Sequence, residues 1–208
     1  MSKIKVIVSD LGNVLIPFDY APLLKKLDSY KTGLGEKFGK LYMENYEVHR
    51  SFEKGELPED DFLKIMMEWT ENLVSRKNFI EIYSNIFTEN KEVTSLLPKL
   101  KKNYQLVLLS NTNSIHQKYG WEKYDFLKHF DKLILSHEVG FAKPEKGIYK
   151  AVEEFTKLPG EAHLFIDDIE EYVNAAKSLG WEGIVFKDAE SLKISLIGKG
   201  IIPKLSIV

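Results

Sequence analysis

Polar residues collect just past the ends of short apolar runs in this sequence. Asp10 follows residues 4–8, Ser110-Asn111-Thr112-Asn113 follow 106–109, Ser136 follows 133–135, and Asp167-Asp168 follow 164–166. Lys143-Pro144 stand ahead of the last of these runs. In an open parallel sheet the carboxyl ends of the strands border the ligand crevice. Three carboxylates, a hydroxyl, an amide and an ammonium would therefore converge on one spot. Taken singly, each has an ordinary reading: a turn or helix-cap aspartate, loop amides, a solvated lysine at a helix entry. The Asp167-Asp168 pair is harder to explain so, because adjacent carboxylates at the end of a buried run repel each other and lose solvation. A hard divalent cation relieves that cost, and Mg²⁺ typically takes one or two carboxylates together with phosphate oxygens.

The elements that must position these groups are legible from the apolar patterning. The runs at 4–8, 106–109, 133–135, 164–166 and 184–186 do not alternate with polar residues, which is how strands covered on both faces of a parallel sheet read. Ile148, Val152, Phe155 and Leu158 recur at helical spacing after Pro144, as do Val173, Ala176 and Leu179, with Gly180 as a stop. Strand–helix–strand alternation predicts an α/β sandwich. Residues 17–88 break the rhythm: Leu23, Leu24 and Leu27 mark one helix. Another has Pro58 at its start, Glu59, Asp60 and Asp61 in its first turn, and an apolar stripe of Phe62, Ile65, Met66, Trp69 and Leu73. Roughly 70 helical residues are too many for a crossover. They read as a helical domain at 17–88 inserted into an α/β domain made of 1–16 and 89–208. There is no internal repeat and no low-complexity segment.

Composition narrows the function classes. The 208 residues contain no cysteine, which excludes a disulfide framework, a thiolate zinc site and a cysteine nucleophile. Lys and Arg number 29 against 31 Asp and Glu, so no basic excess draws the chain to nucleic acid or an anionic membrane. The hydrophobic share of 44% and charged share of 29% are those of a soluble globular protein. No stretch approaches the 18 or so apolar residues of a membrane span, and a cytoplasmic protein, monomeric or weakly dimeric, is expected.

Four segments, in order, resemble the motifs of the haloacid dehalogenase superfamily: Ser9-Asp10-Leu11-Gly12-Asn13-Val14-Leu15, Leu109-Ser110-Asn111-Thr112-Asn113, Gly140-Phe141-Ala142-Lys143-Pro144 and Phe165-Ile166-Asp167-Asp168. The fuller strings around Ser110 to His116 and Lys143 to Tyr149 are similar to the branch that contains sugar-phosphate phosphatases such as alpha-glucose-1-phosphate phosphatase. The resemblance implies a three-layer Rossmann-like domain with parallel strand order 5-4-1-2-3 and an inserted α-helical cap. It implies a Mg²⁺-dependent phosphatase for a small phosphorylated metabolite, a sugar phosphate by the branch it resembles, working through an aspartyl phosphate. Asp10 would be the nucleophile, fitting because a carboxylate is ionised at neutral pH and needs no general base. Ser110 and Asn111 would hold phosphoryl oxygens, and Lys143 would neutralise the transferring group. Mg²⁺ would be held by Asp10, the Gly12 carbonyl and Asp168, with Asp167 a direct ligand or a support.

Two departures matter. Most phosphatases of the family carry a second Asp two residues after the nucleophile, where this chain has Gly12, so His116, Glu53 or a metal-bound water is left to move the proton. The Asn that usually follows the acidic pair by four residues is Tyr172 here, with Asn174 two places late. A 2-haloacid dehalogenase, or a phosphate-binding switch without turnover, are the competing readings. His49, Arg50, Glu53 and Lys54 could face the leaving group, though a charge cluster there usually reads as a solvated turn. Tyr119, Trp121 and Tyr124 could line a sugar-binding wall, though aromatics more often pack the core. Glu170-Glu171 read as the acidic first turn of a helix.

Overall fold

The computed structural model describes residues 3–203. In chain order these form β1 (Val6–Ser9), α1 (Ala21–Asp28), α2 (Leu34–Glu44), α3 (Tyr46–Glu53), α4 (Glu59–Trp69), α5 (Arg76–Ser84), α6 (Lys91–Thr94), α7 (Leu97–Leu100) and β2 (Gln105–Ser110). There follow β3 (Lys132–Leu135), α8 (Ser136–Val139), α9 (Lys146–Thr156), β4 (His163–Asp167), α10 (Glu170–Ser178), β5 (Glu182–Val185) and α11 (Ala189–Gly198). All five expected runs are strands, paired in parallel in the order β3-β2-β1-β4-β5. This is the order the resemblance implied, read from the other edge.

Non-alternating strands bury both faces because each face meets its own helical layer. Ile7, Leu106, Leu108, Leu164 and Ile166 point to one side and pack with α6, α7 and α11 through Val93, Leu97, Leu192 and Leu196. Val6, Val8, Val107, Leu109 and Phe165 point to the other, against Ile148, Tyr149 and Val152 of α9 and Val173 and Ala176 of α10. The result is a three-layer sandwich. Phe155, expected on the buried stripe of α9, is 37% exposed, and Tyr149 takes the inward position instead. Gly180 ends α10 with a φ of 86°, a conformation that glycine adopts without strain.

Helices α1–α5 lie between β1 and β2 and share a separate apolar cluster that includes Leu23, Leu27, Phe38, Phe62, Met66 and Phe79. Pro58 caps α4 and the acidic first turn is as expected. The stripe stops earlier than its spacing predicts. Glu71 and Asn72 turn the chain with positive φ, so Leu73 lies beyond α4 and is exposed, while Leu63 is buried in its place. The chain enters and leaves this segment side by side: Phe18 pairs antiparallel with Phe87, Asp19 N–H donates to the Ile86 carbonyl, and Thr88 N–H donates to that of Pro17. No helix among the described residues is long and apolar enough to cross a membrane.

Candidate active site

β1 is central, with β2 on one side and β4 on the other, so successive strands are added outward first on one side of it and then on the other. The crevice at the strands' carboxyl ends opens at such a switch point. Register puts Ser9 beside Leu108 and Ile166. Asp10 therefore emerges between the Ser110 loop and Asp167, and its N–H donates to the Ile166 carbonyl (2.8 Å). Asp10, Ser110, Asn111, Lys143 and Asp168, singled out along the sequence, meet here.

Lys143 is almost fully buried, and its Nζ lies 2.7 Å from Asp10 Oδ1 and 2.6 Å from Asp167 Oδ2. It does not open a helix: α9 begins at Lys146 with Glu145 at its cap, and the cis Lys143-Pro144 peptide belongs to the preceding turn. Asn111 holds that turn with both ends of its amide. Its Oδ1 accepts from the Lys143 N–H (2.8 Å) and its Nδ2 donates to the Lys143 carbonyl (3.1 Å). The Asn111 side chain is thus anchored to Lys143, and the second N–H of its amide is left for a ligand. The Ser110 hydroxyl, held only by a 3.4 Å contact with the Asn111 carbonyl, can turn to a ligand as well. Ser136 bonds Thr112 in both directions and stiffens the loop. The Lys143 ammonium also sits over the rings of Phe165 (5.6 Å) and Tyr172 (5.2 Å). Tyr172 thus faces the site where family members have Asn, and its carbonyl is fixed by the Tyr149 hydroxyl, while Asn174 is exposed.

The paired acids divide their work. Asp167 is fully buried with both oxygens engaged, Oδ2 by Lys143 and Oδ1 by the Ile169 N–H (2.8 Å). Asp168 is half-buried, and one of its oxygens accepts from Asn13 Nδ2 (3.2 Å), leaving the other free. Oxygens of Asp10, Asp167 and Asp168 lie within 4.8 Å of one another. Three carboxylates against one ammonium leave two negative charges uncompensated. Burial, with help from Asp167 and against Lys143, pushes the Asp10 carboxyl up to about 7. Burial alone would lower Lys143, but Asp10 and Asp167 hold it raised. All-oxygen donors with excess negative charge are what a hard divalent cation requires, so this donor set fits Mg²⁺. The Gly12 carbonyl already accepts from the Val14 N–H (2.6 Å) and keeps a second lone pair. A Cβ at Gly12 would sit 3.1 Å from Phe18 Cε1, so the ring covers the place where family members carry their second Asp.

Above Asp10 lies a cavity of 380 Å³ walled by the sheet's loops and by α1–α3. His49, Arg50 and Glu53 line it; the solvated-turn reading fails for them and holds for Lys54. His49 Nε2 lies 3.1 Å from Glu53 Oε1, Arg50 Nη1 donates to Glu53 Oε2 (3.2 Å), and Arg50 Nη2 donates to the Lys143 carbonyl (3.2 Å). Burial would raise Glu53, but His49 and Arg50 hold it below the usual carboxylate range. Trp121 lines the cavity and donates to Thr112; Tyr119 is exposed, and Tyr124 packs against Phe87. Sequence reasoning missed Tyr42 and Tyr46. With His49 and Glu53 they fall at i, i+4, i+7 and i+11, a helical stripe whose signal was available but interrupted at Asn45, where α2 gives way to α3.

His116 is buried against the Tyr83 ring (4.3 Å). Asn113 fixes its tautomer: Oδ1 accepts from the His116 backbone N–H and Nδ2 donates to its Nδ1, so a neutral ring carries its proton on Nε2, which has no partner among the described residues. Burial, then His49, pushes His116 down to about 3. The unfolded chain takes up this proton near pH 6.5 and the folded one does not, so stability falls as pH drops from 6.5 towards 3. Between pH 7 and 5 the wild type should lose about 2 kcal/mol more than His116→Gln in urea titrations; parallel losses would exclude a buried neutral ring.

Comparison with known proteins agrees with this geometry. The chain matches the haloacid dehalogenase-like hydrolase family over residues 4–180 and belongs to it; it is an enzyme of that family. It is 29% identical to the phosphorylated carbohydrates phosphatase of Thermotoga maritima, over 86% of this chain and 83% of that one. It is 26% identical to the D-ribitol-5-phosphate phosphatase of Bacteroides thetaiotaomicron, over 86% and 90%. A family enzyme from Bacteroides thetaiotaomicron, solved with magnesium and inorganic phosphate, superposes with a TM-score of 0.78 at 30% identity, over 91% and 98% of the two chains.

Proposed function

We propose that this hydrolase is a Mg²⁺-dependent phosphatase of small phosphorylated metabolites, with Asp10 as nucleophile and α1–α5, within residues 17–88, as a cap over the site. The observation that carries the reading is the buried Asp10–Lys143–Asp167 triad at the cavity floor, beside an Asp168 with an oxygen to spare. Asp10, Asp168 and the Gly12 carbonyl would hold the cation, which supplies charge neutralisation at the phosphate. Asp167 acts through Lys143, fixing its ammonium where phosphoryl oxygens would lie.

Asp10 Oδ2, the oxygen not paired with Lys143, forms a bond to phosphorus as the ester P–O bond breaks, giving an aspartyl phosphate and the leaving alcohol's anion. Water then attacks that phosphorus, releasing inorganic phosphate and restoring the carboxylate. Lys143 and Ser110 hold the oxygens that gain charge in both steps. Arg50, reaching from α3 to the Lys143 carbonyl, links the cap to the triad. Phosphorylated carbohydrates are the first metabolites to try, on the likeness to relatives of that activity.

The test is phosphate release from acetyl phosphate and sugar phosphates with Mg²⁺ and with chelator. Chelator should abolish turnover and Mg²⁺ restore it. Metal-free chloride release from 2-chloropropionate would favour the dehalogenase reading, and an aspartyl phosphate surviving for hours would favour a switch.

A further inference from the structure

The cavity has two chemically different ends. Around Asp10 it offers Lys143, Ser110, Asp168 and Arg50. Beyond them its wall is aromatic: Phe18, Tyr20, Phe38, Tyr42, Phe87 and Trp121. Several of the polar atoms along that wall are already committed. Tyr42 Oη bonds His49 Nδ1, Tyr83 Oη lies 3.4 Å from the same nitrogen, His49 Nε2 bonds Glu53, and Trp121 Nε1 is spent on Thr112. A polyol lodged there would leave most of its hydroxyls without partners, whereas ring faces and edges suit a flat apolar group.

The second observation concerns the proton. An alkoxide leaving group must be protonated as it departs. Among the side chains that could serve, Gly12 has none to offer and Phe18 covers it, Glu53 is held ionised by His49 and Arg50, and Asn113 and burial keep His116 out of proton exchange at neutral pH, which leaves water as the proton source. A phenolate needs no such donor, because its conjugate acid has a pKa near 10.

On the phosphatase reading above, we infer that the leaving group is a phenol: the substrate class is aryl phosphate monoesters, with the ring in the aromatic part of the cavity. Asp10 displaces the phenolate from phosphorus, the P–O bond to the ring oxygen breaks, and the phenolate takes its proton from solvent as it leaves.

The experiment compares kcat/KM with Mg²⁺ for phenyl, 1-naphthyl, n-octyl and glucose 6-phosphate, with acetyl phosphate as a probe that has almost no leaving-group body. Phenyl and 1-naphthyl phosphate should exceed glucose 6-phosphate by tenfold or more, since each buried methylene-sized unit contributes about fourfold. n-Octyl phosphate should match the aryl esters in KM and trail them in kcat. Gly39 lines the cavity, and a Cβ there meets only the Leu24 side chain at 3.6 Å. Gly39→Leu, a better helix former, should therefore fold and lower the naphthyl-to-acetyl ratio about tenfold by filling the ring's place. Sugar phosphate turnover equal to aryl turnover overturns the inference while leaving the phosphatase reading intact. If nothing is hydrolysed, acetyl phosphate included, that reading fails. Calorimetry on the Mg²⁺-loaded protein then decides the pocket: 1-naphthyl phosphate must bind at least tenfold tighter than inorganic phosphate, and equal affinity overturns it.

Discussion

Asp10→Asn should abolish phosphate release, by about 10⁴-fold or more, and leave the fold at least as stable as the wild type. The first half follows from the role of the group: an amide oxygen is a poor nucleophile, and among the described residues no other carboxylate combines a free oxygen with contact to Lys143. Asp167 cannot substitute, because both of its oxygens are engaged. The second half follows from the same burial that pushes Asp10 up to about 7. An ionised carboxylate held there is a strained choice that an uncharged isostere removes, while Lys143 keeps Asp167 as its counter-ion. Acid-quenched wild type should carry radiolabel from a phosphorylated substrate and the variant none. Retention of more than about 1% of turnover, or a melting temperature well below wild type, would remove Asp10 from the centre of the reaction.

The sheet was legible because its signal is local. Val6, Val8, Val107 and Leu109 must face α9 and α10 while Ile7, Leu106 and Leu108 face α11, so each strand writes itself as an unbroken apolar run. The polar groups at the strand ends were legible for the same reason, since parallel strands deliver their carboxyl ends to one edge. The strand order was not a local signal; it came with the family resemblance.

What could not be read was which atoms remain free after folding. Asn111 looks like a ligand-binding amide in sequence, and only the folded chain shows that its oxygen and one of its two N–H groups also hold the Lys143 backbone. Asp167 and Asp168 are indistinguishable as neighbours, and only burial and the Ile169 N–H tell them apart. His49 and Glu53 looked like a solvated turn because Tyr42, the hydroxyl partner of His49, joins them only once α2 and α3 are packed together. The cavity wall combines residues from Phe18 to Trp121 in one surface, and no spacing rule reaches across a hundred positions.

Lys143→Met should be the most damaging single change to structure and activity together. It leaves Asp10 and Asp167 facing each other in a buried site with no counter-charge. Removing one partner of a buried ion pair typically costs 3–5 kcal/mol. For a chain of this length that lowers the melting temperature by about 10 °C. Turnover should fall by about 10²–10³, the scale on which loss of a charge-stabilising donor is felt. Mg²⁺ supplies the diagnostic. A cation that binds the folded state raises stability in proportion to its affinity, and the variant's uncompensated carboxylates should hold it more tightly. The melting temperature gained on adding Mg²⁺ should therefore be larger in Lys143→Met than in wild type, and smaller in Asp10→Asn, which has one carboxylate fewer. Lys143→Arg should not restore activity, because the planar guanidinium must fit between the Phe165 and Tyr172 rings where a single ammonium now reaches both acids. An Mg²⁺-induced gain identical in all three proteins would mean that the ion binds elsewhere, and that the triad orders the loop without serving the phosphate.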